Sequence, residues 1–111
     1  MKIAEVSKEY GLSADTLRYY ERIGLIPTVH RSKSGIRDYT VEDCAWVEFA
    51  KCMRGAGIQV EALIEYVSLF QQRELLLERM EEMRQTLERL NSKIDRYEQT
   101  VAVAEQKLRR E

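Results

Sequence analysis

Apolar residues recur at helical spacing in successive segments of this 111-residue chain. The first segment, Met1–Tyr10, has the spacing of a short amphipathic helix, and Gly11 follows as its C-terminal stop. A second helix is predicted over Ala14–Ile23, because Ser13 occupies the N-cap position and Gly24 ends the pattern. Two short helices joined by a tight turn are typical of a helix-turn-helix, whose second helix enters the major groove of DNA.

The segment Val29–Thr40 has the pattern of a β-hairpin and follows Pro27, which ends any helical continuation. Lys33–Gly35 provides the turn, with short apolar runs on both sides. A hairpin beside a helix-turn-helix is a wing, which binds the phosphate backbone or reaches into a minor groove. His30 is the only histidine and has no cysteine nearby, so we expect a wing or phosphate contact there rather than a metal ligand.

Positive charge is concentrated in this part of the chain, although the formal net charge of the whole chain is −1. Between Thr16 and Arg37 there are five basic residues and one acidic residue, Glu21, which gives a local charge of +4. Such a strip on a nearly neutral protein indicates a polyanionic partner, with an ordinary solvated surface as the alternative. On the second helix, Leu17 and Tyr20 are expected to point inward. The candidate DNA contacts are Arg18, Tyr19 and Arg22 on that helix and Arg31, Lys33 and Arg37 on the wing.

Two more helices are predicted, over Val41–Arg54 and over about Val60–Phe70, and their many apolar side chains indicate a buried role beneath the winged module. A heptad pattern then runs from Leu76 to Leu108. A narrow apolar seam on a highly charged helix needs a partner, and we expect that partner to be a second copy of the chain. The predicted dimerisation residues are Leu76, Met80, Met83, Leu87, Leu90, Ile94, Tyr97, Val101 and Leu108.

The fold class predicted from these patterns is mainly α. A winged helix-turn-helix DNA-binding domain with a supporting helix pair would occupy residues 1–70, and a long coiled-coil dimerisation helix would occupy residues 71–111. The chain lacks a signal peptide and a long apolar run, so we expect a cytoplasmic protein with reduced thiols. Enzymatic activity has little support, because there is no glycine-rich phosphate loop and only one histidine. We expect no cofactor, metal site or membrane contact.

The run LRYYERIGLIP at Leu17–Pro27, followed by GIRDY at Gly35–Tyr39, resembles the signature of the MerR family of bacterial transcription regulators. The resemblance implies a winged helix-turn-helix and a dimer joined by a long antiparallel helix pair. It also implies binding across an over-long promoter spacer, which is distorted so that RNA polymerase engages both promoter elements. Carried over by position, it implies DNA contacts from Thr16, Arg18, Tyr19, Arg37 and Tyr39.

Two cysteines, Cys44 and Cys52, lie eight positions apart on the third predicted helix, about 12 Å by helical rise, which is too far for a disulfide. Cys44 is expected to be an inert small hydrophobe. Cys52 lies between Lys51 and Arg54, and nearby cations favour the reactive thiolate form. The stretch Val47–Arg54 resembles the branch of the MerR family that responds to aldehydes and other electrophiles through a cysteine at this place, which implies a sensor role for Cys52.

The junction before the heptad helix departs from that branch, whose members usually have a short polar loop with glycine there. Here Phe70 continues through Gln71–Arg73 into Glu74–Leu76, so either the two helices join with little break or a mobile loop is missing. Three functions remain open. The chain is a homodimeric regulator switched at Cys52, or the same DNA-binding protein with a structural Cys52, or a coiled-coil adaptor whose basic face meets a protein or membrane surface.

Overall fold

The computed structural model describes residues 1–110 and confirms a mainly α fold. Its four helices are α1 (Ile3–Tyr10), α2 (Ala14–Ile23), α3 (Val41–Gly55) and α4 (Val60–Arg110). The first three helices begin and end at or near the predicted residues. The chain divides into two compact units, Met1–Arg73 and the segment that begins at Glu74.

The ends of the first helices are fixed by the residues that the sequence pattern indicates. The side chain of Ser13 accepts a hydrogen bond from the amide of Thr16 at 3.1 Å, which satisfies one of the free amides at the start of α2. Gly11 and Gly24 follow α1 and α2 with φ values of 67° and 81°, a left-handed conformation that glycine adopts without steric cost. Together these caps hold α1 and α2 to their short lengths.

The wing, which we define as residues 29–39, connects α2 to α3. The amide of Asp38 donates to the carbonyl of His30 at 2.7 Å, and the amide of Ser32 donates to the carbonyl of Ile36 at 2.8 Å. Between these bonds, Arg31 and Arg37 form a single antiparallel bridge, and no longer strand occurs within residues 1–110. The predicted hairpin is therefore a narrow loop with one bridge, too short to stand as a sheet by its own backbone bonds.

A single apolar core holds α1, α2, the wing and α3 together. Its largest fully buried side chains are Leu17, Leu25, Ile26, Val6 and Val47, each at most 1% exposed. Burying one such side chain contributes about 1.5–3 kcal/mol, so this core is the main source of stability for the first unit. Leu63 and Val67 bring the first turns of α4 into the same unit, at 4% and 2% exposure.

Four aromatic rings pack between α3 and the first turns of α4. The Trp46 and Phe70 ring centroids lie 5.0 Å apart edge to face, and the Phe49 and Tyr66 rings stack at 5.4 Å. Aromatic pairs of this kind contribute about 0.5–1.5 kcal/mol beyond their buried area. They pack α3 against the first turns of α4.

The sequence pattern predicts that the fourth helix ends at about Phe70. In the structure it continues without interruption to Arg110. The segment Gln71–Glu74 contains neither glycine nor proline, and its residues favour helix. In this chain the helix therefore runs through the junction without a break. Every residue from Gln71 to Arg110 is exposed, and the predicted dimerisation residues are between 51% and 72% exposed.

Candidate nucleic-acid interface

The second helix of the helix-turn-helix presents an exposed face on one side and a buried face on the other. Leu17 is completely buried, whereas the side chain of the next residue, Arg18, is 48% exposed and Tyr19 is 45% exposed. The guanidinium of Arg22 lies 5.3 Å from the centre of the Tyr19 ring, so the two side chains form one cation–π pair. Tyr20 packs partly buried against the core, as predicted.

Thr16 lies at the N-terminal end of this face, where a recognition helix presents its first residues to base edges. Its hydroxyl is 2.8 Å from the hydroxyl of Ser13, and its side chain is half-buried. Arg18 is also near this end, and its guanidinium contacts the carboxylate of Asp15 at 3.0 Å. This pair is largely exposed, so its net contribution is small and Arg18 remains available to a DNA ligand.

The wing arginines meet the recognition helix at Glu21, whose side chain is only 8% exposed. Glu21 Oε1 accepts a hydrogen bond from Arg37 Nε at 2.6 Å and lies 3.8 Å from the guanidinium of Arg31. Glu21 Oε2 accepts a hydrogen bond from the amide of Val29 at 2.8 Å. One carboxylate on α2 therefore binds the first residue of the wing and a residue on its returning side.

A second buried carboxylate, that of Asp43 on α3, binds the next residue of the wing. Asp43 Oδ2 accepts hydrogen bonds from the His30 amide at 3.2 Å and the Thr40 amide at 3.0 Å, and it lies 2.9 Å from His30 Nδ1. Burial of the Asp43 carboxyl raises its pKa, but these hydrogen bonds outweigh burial and the net pKa is lowered. The hydrogen bond to Asp43 and its negative charge raise the pKa of His30.

The predicted cations therefore differ in whether they lie beside a carboxylate. Arg18, Arg31 and Arg37 each lie beside a carboxylate of the same unit, whereas Arg22 and Lys33 form no ion pair among residues 1–110. The local sequence pattern does not predict the partners of these cations, Asp15 and Glu21, or the contact of Asp43 with His30. The signal that could have found Glu21 is its isolation, because it is the one acidic residue in a strip of five basic ones.

Tyr39 does not lie at the surface, contrary to its predicted role as a wing contact. The residue is 2% exposed, and its ring belongs to the core cluster. Its hydroxyl has no hydrogen-bond partner in the part of the chain that the structure describes, and burial raises the pKa of Tyr39 above its ordinary value of 10. A direct DNA contact needs an exposed group, so Tyr39 here supports the wing from beneath.

The two cysteines occupy different environments on α3. Cys44 is 7% exposed, and burial raises the pKa of its thiol, whereas Cys52 is exposed. The predicted cationic neighbours of Cys52 are engaged with backbone carbonyls. Lys51 Nζ donates to the carbonyl of Tyr10 at 2.6 Å, and Arg54 donates to that of Ile58 at 2.8 Å. The Cys52 thiol is thus accessible, while these cations point to other acceptors.

No helix in residues 1–110 is both long enough and apolar enough to span a lipid bilayer. No group of three or more histidine, cysteine, aspartate or glutamate side chains in that range could hold a metal ion.

The sequence and the structure are similar to known regulators. Residues 2–39 match the MerR family regulatory protein profile. The chain is 66% identical over 70 residues to the HTH-type transcriptional regulator AdhR of Bacillus subtilis strain 168, an alignment that covers 63% of this chain and 50% of AdhR. It is 34% identical over 106 residues to the HTH-type transcriptional regulator YfmP of the same strain, covering 86% of this chain and 76% of YfmP. The chain spans about half the length of several of the curated relatives it matches.

Solved structures of MerR family regulators are similar to this chain over more of its length. A MerR family transcriptional regulator from Listeria monocytogenes is 42% identical with a TM-score of 0.61, covering 98% of this chain and 94% of that one. HiNmlR, described as a MerR family regulator lacking the sensor domain and bound to promoter DNA, is 26% identical with a TM-score of 0.56. The match covers 91% of this chain and 92% of HiNmlR. The similarity to these proteins therefore includes α4.

Proposed function

This chain belongs to the MerR family of transcription regulators, and on that basis we propose that it binds promoter DNA as a homodimer and regulates transcription. The observation that carries the proposal is the exposed face of α2, with Arg18, Tyr19 and Arg22, beside a wing that bears three further cations. A polar and cationic face on a recognition helix, backed by an apolar core, is the arrangement that major-groove readout requires. We also propose a cytoplasmic location, where bacterial promoter DNA lies.

We infer that some residues of this surface contact bases and others contact phosphates. Thr16, Arg18 and Tyr19 lie on the helix that enters the major groove, where an arginine forks onto the O6/N7 edge of guanine. Lys33 and Arg31 at the exposed part of the wing are suited to phosphates, which fix the register of the protein on the duplex. Arg22, held over the Tyr19 ring, lies at the C-terminal end of α2 and is suited to a backbone contact.

The dimer is proposed to form through the exposed apolar seam of α4. From Leu76 to Val101 the seam residues recur in alternating steps of four and three, the repeat of two helices that pack side by side. Two recognition helices joined in this way would bind two half-sites of one promoter. We further propose the regulatory action implied by the family, in which an over-long promoter spacer is distorted so that RNA polymerase engages both promoter elements.

Selection from a pool of random duplexes tests the DNA-binding part of the proposal. The expected result is a palindromic consensus of two half-sites that is bound at least about a thousandfold more tightly than unselected duplex. The affinity should fall log-linearly with salt concentration. If no consensus emerges and all duplexes bind alike, the protein is not a sequence-specific regulator. Binding to anionic lipid vesicles in place of DNA would support the adaptor alternative.

We propose that modification of the exposed Cys52 thiol by a small electrophile is the signal for this regulator. The support is the difference in exposure between Cys52 and Cys44, together with the position of Cys52 in the last turns of α3. The test is transcription in vitro from the selected site, with and without a small aldehyde.

Cys52→Ser and Cys44→Ser form a matched pair for that test. The proposal predicts a response in the wild type and in Cys44→Ser that is lost in Cys52→Ser. If all three proteins respond alike, or if none responds while all bind the selected duplex, Cys52 has a structural role. The chain is then a regulator with another signal or a fixed one.

A further inference from the structure

Glu21 is the point at which the recognition helix and the wing meet through charged groups. Its side chain is only 8% exposed, and its carboxylate accepts hydrogen bonds from the Val29 amide and from Arg37 Nε, with Arg31 at 3.8 Å. Oε2 binds the Val29 amide, whereas Oε1 lies against both wing arginines. The wing has only one backbone bridge of its own, so these contacts and those of Asp43 act together with the buried Val29 and Tyr39 to fix its position.

We propose that Glu21 is a positioning residue for DNA recognition, which holds the wing arginines against the recognition helix and thereby sets the ratio of specific to non-specific binding. The inference rests on the proposed function. Glu21 itself carries the wrong charge for a phosphate contact and is buried, so it acts through Arg31 and Arg37.

The geometry explains how a carboxylate can help an anion-binding surface. Arginine has five N–H donors in a rigid fork, and Glu21 takes the Nε donor of Arg37. The terminal N–H groups of Arg37 have no hydrogen bond within residues 1–110, so they are free to bind a phosphate while Nε stays fixed. A guanidinium held in this way can bind a phosphate in only one orientation. Binding is therefore stronger at a site whose phosphates lie in that orientation than at other sequences.

Loss of the Glu21 charge has opposite consequences for the two kinds of binding. The freed guanidinium groups can follow any phosphate backbone, so non-specific affinity rises and its salt dependence becomes steeper. Binding at the correct site loses the fixed position of the wing relative to α2, so discrimination between sequences falls. A purely structural role would instead lower both affinities together with the folded fraction.

Glu21→Gln tests this, because the glutamine has the same shape and its amide oxygen can still accept from Val29. The probes are the duplex selected by the wild-type protein and an unselected duplex of equal length, each titrated over a range of salt concentrations. We expect the affinity ratio to fall about tenfold, the size of one lost base-pair preference. We expect the salt slope on the unselected duplex to steepen by about one for each freed phosphate contact.

Asp15→Asn is the matched control, since it removes a carboxylate from the same helix and frees Arg18 from an exposed pair whose members are 48% and 96% exposed. It should keep the affinity ratio within about twofold of the wild type, because exposed pairs contribute little. Equal changes of the ratio in Glu21→Gln and Asp15→Asn would overturn the proposal, since the effect would then be one of net charge alone.

A double-mutant cycle with Arg37→Gln separates this action from a folding defect, because a folding defect lowers the affinity for both duplexes together and leaves their ratio unchanged. If Glu21 acts through Arg37, the two substitutions should be non-additive in the affinity ratio, with Glu21→Gln adding less than about twofold in the Arg37→Gln background. Additive effects would overturn the proposal. Failure of the wild type to select any duplex would overturn the proposed function instead, so the two failures are distinguishable.

Discussion

The imidazole Nδ1 of His30 lies 2.9 Å from Oδ2 of Asp43, the same oxygen that accepts from the His30 and Thr40 amides. A titratable side chain on the wing is thus bound to the carboxylate that caps α3, where the Thr40 and Asp43 side chains each accept from the backbone amide of the other residue. The acidic neighbours Glu42 and Asp38 also favour the charged imidazole.

This pair predicts a pH dependence of stability with a definite sign. The pKa of His30 is raised in the folded protein above its ordinary value of 6.5. Its contribution to stability is therefore fully present below pH 6.5 and is lost as the pH rises through the raised pKa. As the pH increases from 6.5 through the raised pKa of His30, the melting temperature of the wild type should therefore fall relative to that of His30→Gln.

The single histidine makes the direct measurement simple, because only one imidazole resonance titrates in the NMR spectrum. We expect its midpoint above 6.5 in the wild type and a lower midpoint in Asp43→Asn. A wild-type midpoint at or below 6.5 would show that the Asp43 contact does not favour the imidazolium in solution.

Arg18→Ala should weaken binding to the selected duplex by about 1–3 kcal/mol and relax the preference at one base pair, if Arg18 reads a guanine. Stability should change by less than about 1 kcal/mol, because the lost pair with Asp15 is exposed. Competition titrations against single-base variants of the selected duplex measure the preference. Unchanged affinity across that series would remove Arg18 from the residues that read sequence.

Tyr39→Phe removes a buried hydroxyl that has no hydrogen-bond partner among the described residues. Because a buried unsatisfied polar group costs about 1–3 kcal/mol, we expect the variant to be at least as stable as the wild type in urea unfolding. Its affinity for the selected duplex should be close to that of the wild type. A loss of affinity with unchanged stability would instead assign the hydroxyl to DNA, as the sequence resemblance implies.

The cysteines should react with a thiol reagent in two separate phases. Cys52 is exposed and should react first, whereas Cys44 is 7% exposed with a raised thiol pKa and should react only as the fold opens. Absorbance traces with an aromatic disulfide reagent at neutral pH resolve the phases. Cys52→Ser should abolish the fast phase and Cys44→Ser the slow one; two equal rates in the wild type would contradict the assigned exposures.

The seam of α4 offers a pair of valines that differ in little except heptad position. Val101 is 55% exposed and lies in the predicted seam, whereas Val103 is 54% exposed and lies outside it. Val101→Glu should raise the dimer dissociation constant by at least about tenfold, because a charge would be buried between two helices. Val103→Glu should leave it nearly unchanged. Sedimentation over a concentration series measures both, and equal effects would place the dimer contact elsewhere.

Much of the fold could be predicted because its determinants are local. Ser13 and Thr40 cap the helices that follow them, and Gly24 ends α2 by a left-handed backbone, all readable from neighbouring residues. The end of α4 was misplaced at Phe70 because an amphipathic stripe ends there, although no residue beyond it breaks a helix. The helix propensity of the residues after Phe70 outweighs the change in the apolar pattern at that point.

The candidate site was predictable only in part, because its decisive contacts join distant positions. Exposed cations on α2 follow from the helical period, but the pairing of Glu21 with Arg37 spans 16 positions and that of His30 with Asp43 spans 13. The burial of Tyr39 likewise depends on packing against the core rather than on its place in the wing. Net charge alone therefore overstated how many of these cations are free.

The wing is held to Asp43 partly through a main-chain amide, and this affects which side chains the wing can carry. Every residue except proline supplies an N–H, so position 30 can change its side chain and keep the backbone bond to Asp43. The His30 side chain is 62% exposed, and little packing would be lost by replacing it. The side chain at this position can therefore change while the backbone contact that orients the wing stays the same.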